Sequence, residues 1–195
     1  MKLETLDFAH FEAFDAGEIR RMSGLLDAAF KSSGFLVARN LGFQTSLVDN
    51  LFACSKSLFA LPSEKKWRYN FSGPQSNFGY QAAESEALAP DGLPDLKEAF
   101  TMRNVLGRVD DEDVWPSDEF RDISTALFRS CFAAATELLK VCAVAIGQKE
   151  NFFSDTHSGE NATLRILHYP SINPRLGLGQ MGAGEHSDYG SITFL

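Results

Sequence analysis

The chain has 195 residues, 44% of them hydrophobic and 23% charged, with a formal net charge of −8. This is the composition of a globular protein with one domain or slightly more, long enough to bury a sizeable core. The acidic balance, with no basic stripe, argues against nucleic acid as a partner, and no run approaches the ~18 apolar residues of a membrane span.

Residues 3–14 read as a short extended segment. Asp15 followed by Glu18 is a capping-box signal. Ile19, Met22, Leu26, Ala29 and Phe30 then recur at helical spacing until Ser32-Ser33-Gly34 stops the helix. Phe35-Leu36-Val37-Ala38 predicts a buried strand, and Asn40-Leu41-Gly42 a turn. Leu47, Leu51, Cys54 and Leu58 mark one face of a second helix, which Pro62 ends. Ser63 is placed to cap a further short turn, and Lys65-Lys66-Trp67-Arg68 reads as a solvated helix face.

Residues 69–94 are rich in Gly, Pro, Ser, Asn and Ala and predict a long loop, with a small hairpin around Phe78-Gly79-Tyr80. Tyr80 is therefore a candidate for shaping a substrate mouth, against simple loop packing. Residues 97–102 read as extended and 105–116 as a connection. Ser117 opens the strongest helix, with Asp118 and Glu119 in its first turn, a stripe of Ile123, Leu127, Cys131, Leu138, Cys142 and Ile146, and Gly147 where a C-terminal cap belongs. Cys54, Cys131 and Cys142 form no Cys-x-x-Cys pair, and they read as buried small hydrophobes in a reducing, cytoplasmic setting. The N-terminal residues have no apolar signal region.

After residue 158 the pattern changes. Residues 163–169 alternate: Leu164, Ile166 and His168 point one way, Arg165, Leu167 and Tyr169 the other, and His168 reads as a packed or surface histidine. A Gly/Pro loop over 171–184 follows, then His186 and Asp188 in an extended segment, and residues 191–195 as a further strand. Spaced by one residue in a strand, an imidazole and a carboxylate share a face with Cβ atoms about 6–7 Å apart. That donor set suits one Fe(II) in a two-histidine, one-carboxylate facial site. Alone the pair is a short motif that also occurs by chance, and its weight comes from the strand, the Gly-rich loop and Gly184 and Gly190 around it. Gly177-x-Gly179-x-x-Gly182 matches a dinucleotide fingerprint literally, but no helix reads after it. No Gly-x-Ser-x-Gly elbow is present for a hydrolase.

Tyr169-Pro170, Pro174, Leu178-Gly179, His186-Ser187-Asp188 and Ile192-Thr193-Phe194-Leu195, in this order, resemble the start of the catalytic core of the isopenicillin N synthase-like, 2-oxoglutarate/Fe(II)-dependent dioxygenases. Gly34-Phe35-Leu36, Leu58 to Pro62, Gly79-Tyr80, Asp95 to Glu98 and Trp115-Pro116 are similar to the family's N-terminal region. The resemblance implies an α+β fold: a helical, mixed N-terminal region packed on an incomplete double-stranded β-helix (jelly-roll) core. It divides the chain into an N-terminal region (1–116), a long supporting helix with its connection (117–158) and the start of the oxygenase jelly roll (159–195).

The resemblance also implies Fe(II) held by His186 and Asp188, 2-oxoglutarate as co-substrate held in part by Tyr169, and O2 with a small organic molecule as substrates. Arg165, on the face of Tyr169, becomes a candidate for lining the same cavity, with a structural ion pair as the alternative. The family's second histidine and its Arg-x-Ser lie further downstream than the seven residues that follow Asp188. The reading therefore expects a partial jelly roll and an inactive isolated chain, with the missing C-terminal strands needed to complete the site. Two other readings stay open: a non-catalytic fragment or interaction module with a vestigial His-x-Asp pair, and a metalloprotein that uses a different divalent metal without 2-oxoglutarate.

Overall fold

The computed structural model describes residues 3–11, 14–42, 44–87, 93–170, 182, 186, 188 and 190–195. The chain forms two compact units, Met1–Val48 with Ala126–Asn161, and Asp49–Thr125 with Ala162–Leu195.

In the first unit, β1 (Glu4–Asp7) and β2 (Leu36–Arg39) pair in parallel, joined by α1 (Ala16–Ser32). The Asp15 carboxylate caps α1 by accepting from the backbone N–H groups of Gly17 and Glu18. The expected capping box closes only halfway, because the Glu18 carboxylate turns forward to Arg21 instead of back to the cap. Ser33 and Gly34 (φ 77°) end the helix as expected. The buried strand expected at 35–38 is corrected: β2 starts one residue later and none of its residues is buried, and among the described residues it pairs with β1 alone. The core of this unit is Leu6, Phe8, Phe11, Ile19, Met22, Leu26 and Ala29 with Leu127, Phe128, Leu138, Leu139 and Val141 of α4 (Asp118–Ala145). Ser23 Oγ lies 2.8 Å from Ile19 O and 2.9 Å from Val141 O, so its single proton always has a carbonyl to meet. Ile146, expected on the apolar stripe of α4, lies past the helix end and is 59% exposed.

The second unit holds most of α2 (Thr45–Phe59), the short α3 (Ser63–Lys66), and an antiparallel sheet of β3 (Phe78–Gln81), β4 (Glu98–Arg103) and β5 (Thr163–His168) in the order β3-β4-β5. Ser63 is the first residue of α3 and does not cap it; Pro62 occupies the N-cap position, and no side-chain cap hydrogen bond is made there. Residues 69–94, expected as a loop with a small hairpin around Phe78-Gly79-Tyr80, contain a strand at that place, which pairs with β4 and not within a local hairpin. Gly79 makes this possible: at φ 118° it lets β3 pass so close to the preceding turn that an added Cβ would lie 2.7 Å from Tyr69 O.

Strand alternation sorts this sheet into two faces. Tyr80, Phe100 and Ile166 are cross-strand neighbours on one face, and Phe78 pairs with Met102 beside them. Phe78, Phe100, Trp115 and Phe120 pack edge to face there, with ring centroids 5.0–5.9 Å apart along the chain Trp115–Phe78–Phe100–Phe120. The opposite face carries Gln81, Ala99, Thr101, Arg165 and Leu167. Residues 191–195, expected as a strand, form no strand in the structure, since a strand needs a pairing neighbour and none of the described residues supplies one. The fold class is α+β as expected; in the three-stranded sheet β5 falls in the region expected to begin the jelly roll, and β3 and β4 come from the N-terminal region.

Candidate metal and co-substrate site

β5 runs out at His168, and Tyr169 and Pro170 follow directly. Tyr169 is half exposed, and one edge of its ring lies so close to Gly182 that an added Cβ there would sit 2.9 Å from Tyr169 Cδ1 and 3.1 Å from Cε1. Further along, His186 Nε2 and Asp188 Oδ1 face each other at 3.2 Å, with side chains 36% and 55% exposed. Neither belongs to a strand, and Gly190 just beyond holds φ 101°. The loop expected at 171–184, the literal Gly-x-Gly-x-x-Gly run, and Ser187 lie outside the described residues, except for Gly182.

The donor pair fits a small divalent ion. Two ligand atoms about 2.1 Å from one ion, at right angles to each other, lie about 3.0 Å apart. The observed 3.2 Å matches that spacing. It also permits a direct hydrogen bond, which would hold the pair together in the absence of an ion. Among the described residues no cluster of three or more His, Cys, Asp or Glu side chains is placed to hold a metal.

Arg165 sits on the sheet face opposite the aromatic core, directly across from Thr101. Its guanidinium pairs with Glu86 and lies 3.4 Å from Gln81 Oε1, while its Nε is buried without a hydrogen-bond partner. Thr101 Oγ1 donates to Gln81 Oε1 (2.6 Å) and Gln81 Nε2 donates to Glu86 Oε1 (2.7 Å). Lys97 pairs with Asp95, both almost wholly buried, and lies 3.7 Å from Glu86. The structural ion pair weighed for Arg165 is thus present, and it leaves one N–H uncommitted.

Tyr80 is placed differently from the expected substrate mouth. It is 3% exposed on the aromatic face, its hydroxyl donates to Glu98, and Lys66 Nζ lies 5.1 Å from its ring centroid. Burial, then the hydrogen bond and charge of Glu98, push its phenol well above the ordinary value. Lys66 corrects the reading of residues 65–68 as a solvated face: it is 7% exposed, and its Nζ donates to Glu98 Oε2 (2.7 Å) and to Phe59 O (3.1 Å).

Glu98 is the hub that the sequence reading missed. Its carboxylate collects Lys66, Tyr80 and, through Oε1 at 2.8 Å, His168 Nδ1. Burial pushes this carboxyl up, but the three hydrogen bonds outweigh it and hold the pKa below the usual carboxylate range. The signal was available: alternation puts Glu98 on the same face as Phe100 and Met102, and a carboxylate there requires partners. His168, expected as a packed or surface histidine, has features of both: its ring stacks on Phe59 with centroids 5.2 Å apart, and its side chain is 46% exposed. The cysteines are free and only partly buried, so their reading as core hydrophobes is half met. Among the described residues no helix is long and apolar enough to cross a membrane.

With this geometry in hand, comparison with known proteins is specific. Residues 3–118 match the family model described as non-haem dioxygenase in morphine synthesis N-terminal. Over 217 residues the chain is 27% identical to the 2-oxoglutarate-dependent dioxygenase gloF of Glarea lozoyensis, covering 100% of this chain and 64% of that protein. It is 30% identical over 209 residues to the proline hydroxylase buaE of Petromyces alliaceus, again covering 100% and 64%. A full-length Neurospora crassa protein, crystallised in complex with alpha-KG, superposes with a TM-score of 0.77 at 28% identity, over 97% of this chain and 62% of that one.

The chain belongs to the non-haem 2-oxoglutarate/Fe(II)-dependent dioxygenase family. It spans a little under two thirds of the length of these relatives.

Proposed function

We propose that the protein carrying this chain oxidises a small organic substrate with Fe(II), 2-oxoglutarate and O2. The observation that supports this most directly is the 3.2 Å approach of His186 Nε2 to Asp188 Oδ1, a preformed cis pair of one imidazole and one carboxylate. Bound ferrous iron would supply O2 activation coupled to decarboxylation of the co-substrate to succinate and CO2. His186 and Asp188 hold the ion, Asp188 contributing a formal negative charge that offsets half of the metal's.

Tyr169, a half-exposed phenol at the end of β5, orients 2-oxoglutarate. Arg165, on the same side of β5 as Tyr169 and held by Glu86, lines the substrate side of the site, and Leu167, 39% exposed between the two, adds an apolar surface there. The domain division at 116 and 158 belongs to the same reading. So does the expectation that residues beyond those of this chain complete the ligand set, which leaves the isolated 195 residues with weak metal affinity and no turnover.

Anaerobic Fe(II) titration tests the site. The isolated chain is expected to bind one ion weakly, and His186→Ala to abolish that binding. Micromolar or tighter binding would contradict the incomplete ligand set. No difference between the wild type and His186→Ala would favour the non-catalytic reading. Succinate formation by the protein at its full length, lost in Asp188→Ala, tests the chemistry.

A further inference from the structure

We propose that Glu98 is a positioning residue for the 2-oxoglutarate site, acting through His168 to fix the ring of Tyr169. The proposal rests on the co-substrate role given to Tyr169 above.

The backbone ladder of β4 and β5 ends at the pair Glu98↔His168. Tyr169 is the first residue past that ladder, so nothing in the sheet's own hydrogen bonding sets its position. A closed ring of side-chain contacts clamps the strand end instead. Lys66 Nζ donates to Glu98 Oε2, Glu98 Oε1 receives His168 Nδ1, the His168 ring stacks on Phe59 at an interplanar angle of 21°, and Phe59 O accepts from the same Lys66 Nζ. Tyr80 adds a further donor to Glu98, so the carboxylate cannot swing away without breaking three bonds.

Lys66 alone would neutralise Glu98. The third donor, His168, has a side chain 46% exposed, so its burial contributes little to the core. What the Glu98–His168 bond contributes is direction: it fixes the imidazole, and with it the backbone from which Tyr169 departs. On the far side the Tyr169 ring rests on Gly182, four residues ahead of His186. The phenol is therefore held from two sides, by the clamp behind it and by the glycine before it. Misplacing a positioning group by a fraction of an ångström is enough to weaken binding of the ligand it orients.

The test is the affinity of 2-oxoglutarate in the presence of Mn(II), measured by calorimetry on the protein at its full length, together with thermal melting. His168→Phe keeps the stack on Phe59 and loses the bond to Glu98. It is expected to raise the 2-oxoglutarate dissociation constant about tenfold while Mn(II) affinity stays within about threefold, on the scale of one charge-assisted hydrogen bond. His168→Asn, whose amide N–H can take the place of Nδ1–H, is expected to restore most of the affinity.

A lower melting temperature with unchanged 2-oxoglutarate affinity in His168→Phe would overturn the proposal and leave Glu98 a purely structural residue. If that variant does not fold, Phe59→Leu removes the clamp from its other side: the same rise supports the proposal and unchanged affinity overturns it. Wild-type protein that binds Mn(II) but no 2-oxoglutarate would overturn the functional reading itself, and this inference with it.

Discussion

The ring of Tyr169 rests on the bare Cα of Gly182, with room for a hydrogen atom and no more: a Cβ at that position would come within 2.9 Å of Cδ1 and 3.1 Å of Cε1. Because the obstructing atoms belong to a half-exposed side chain, a methyl group there displaces the ring rather than the backbone. Gly182→Ala is expected to change stability by less than about 1 kcal/mol and to weaken 2-oxoglutarate binding several-fold. Calorimetric titration beside a urea melt checks both, and unaltered binding would separate Tyr169 from the co-substrate.

Lys66 and Glu98 form a buried ion pair, with side chains 9% and 10% exposed. Lys66→Met strands a carboxylate that has lost its cation, and is expected to cost about 3 kcal/mol. Adding Glu98→Gln removes the stranded charge, so the double variant is expected to be more stable than Lys66→Met alone. Urea denaturation of the two proteins reads the difference, and a double variant less stable than the single one would contradict it.

Stability should fall off at both ends of the pH scale. Glu98 has its carboxyl held low in the folded state, so its contribution is complete above the unfolded value of about 4.3 and is lost as pH drops through the lower folded value. Cys142 behaves oppositely. Burial raises its thiol from 9.0 to about 11, so its contribution is complete below pH 9.0 and is lost as pH rises toward 11. Tyr80, raised by burial and by Glu98, adds to the alkaline decline above pH 10.0. Melting temperatures should form a plateau between about pH 5 and 9, and Cys142→Ala should flatten the decline between pH 9.0 and about 11.

Two glycines with positive φ should respond unequally to alanine. Gly79, at φ 118°, would push a Cβ against backbone oxygens at 2.7 and 2.8 Å, atoms that move only with the chain. Gly79→Ala is expected to cost about 3 kcal/mol or more. Gly34, at φ 77°, has nothing within 4 Å, so Gly34→Ala meets only the conformational penalty of about 1 kcal/mol. Equal costs for the two would show that the β3 crossing tolerates expansion.

The sequence was most readable where one residue acts on its near neighbours. Asp15 announces α1, Ser117 accepts the Phe120 N–H at the start of α4, and Gly34 and Gly147 close these helices in the left-handed region. The alternation of 163–168 fixed β5 and the opposed faces of Arg165 and His168. What escaped depends on partners distant in the chain. Residues 69–94 read as a loop because their own composition favours turns, and β3 gains its hydrogen bonds from β4, some 20 residues on. Lys66 looked solvated because its neighbours Lys65 and Arg68 are charged, while its counterion lies 32 positions away. His186 and Asp188 were singled out by spacing, and their side chains do approach one another, although neither residue itself stands in a strand. Tyr80 was singled out as part of a loop, but it lies in β3 with its side chain buried on the aromatic face, one step of alternation from Gln81 on the Arg165 face.

That Arg165 face has an electrical consequence. Arg165 is matched by Glu86, and Lys97 by Asp95, so the two cations and two anions cancel over a patch only a few residues wide. Whatever molecule lies over it encounters local dipoles instead of a long-range field, so its approach should be nearly indifferent to ionic strength and its recognition decided at hydrogen-bonding distance.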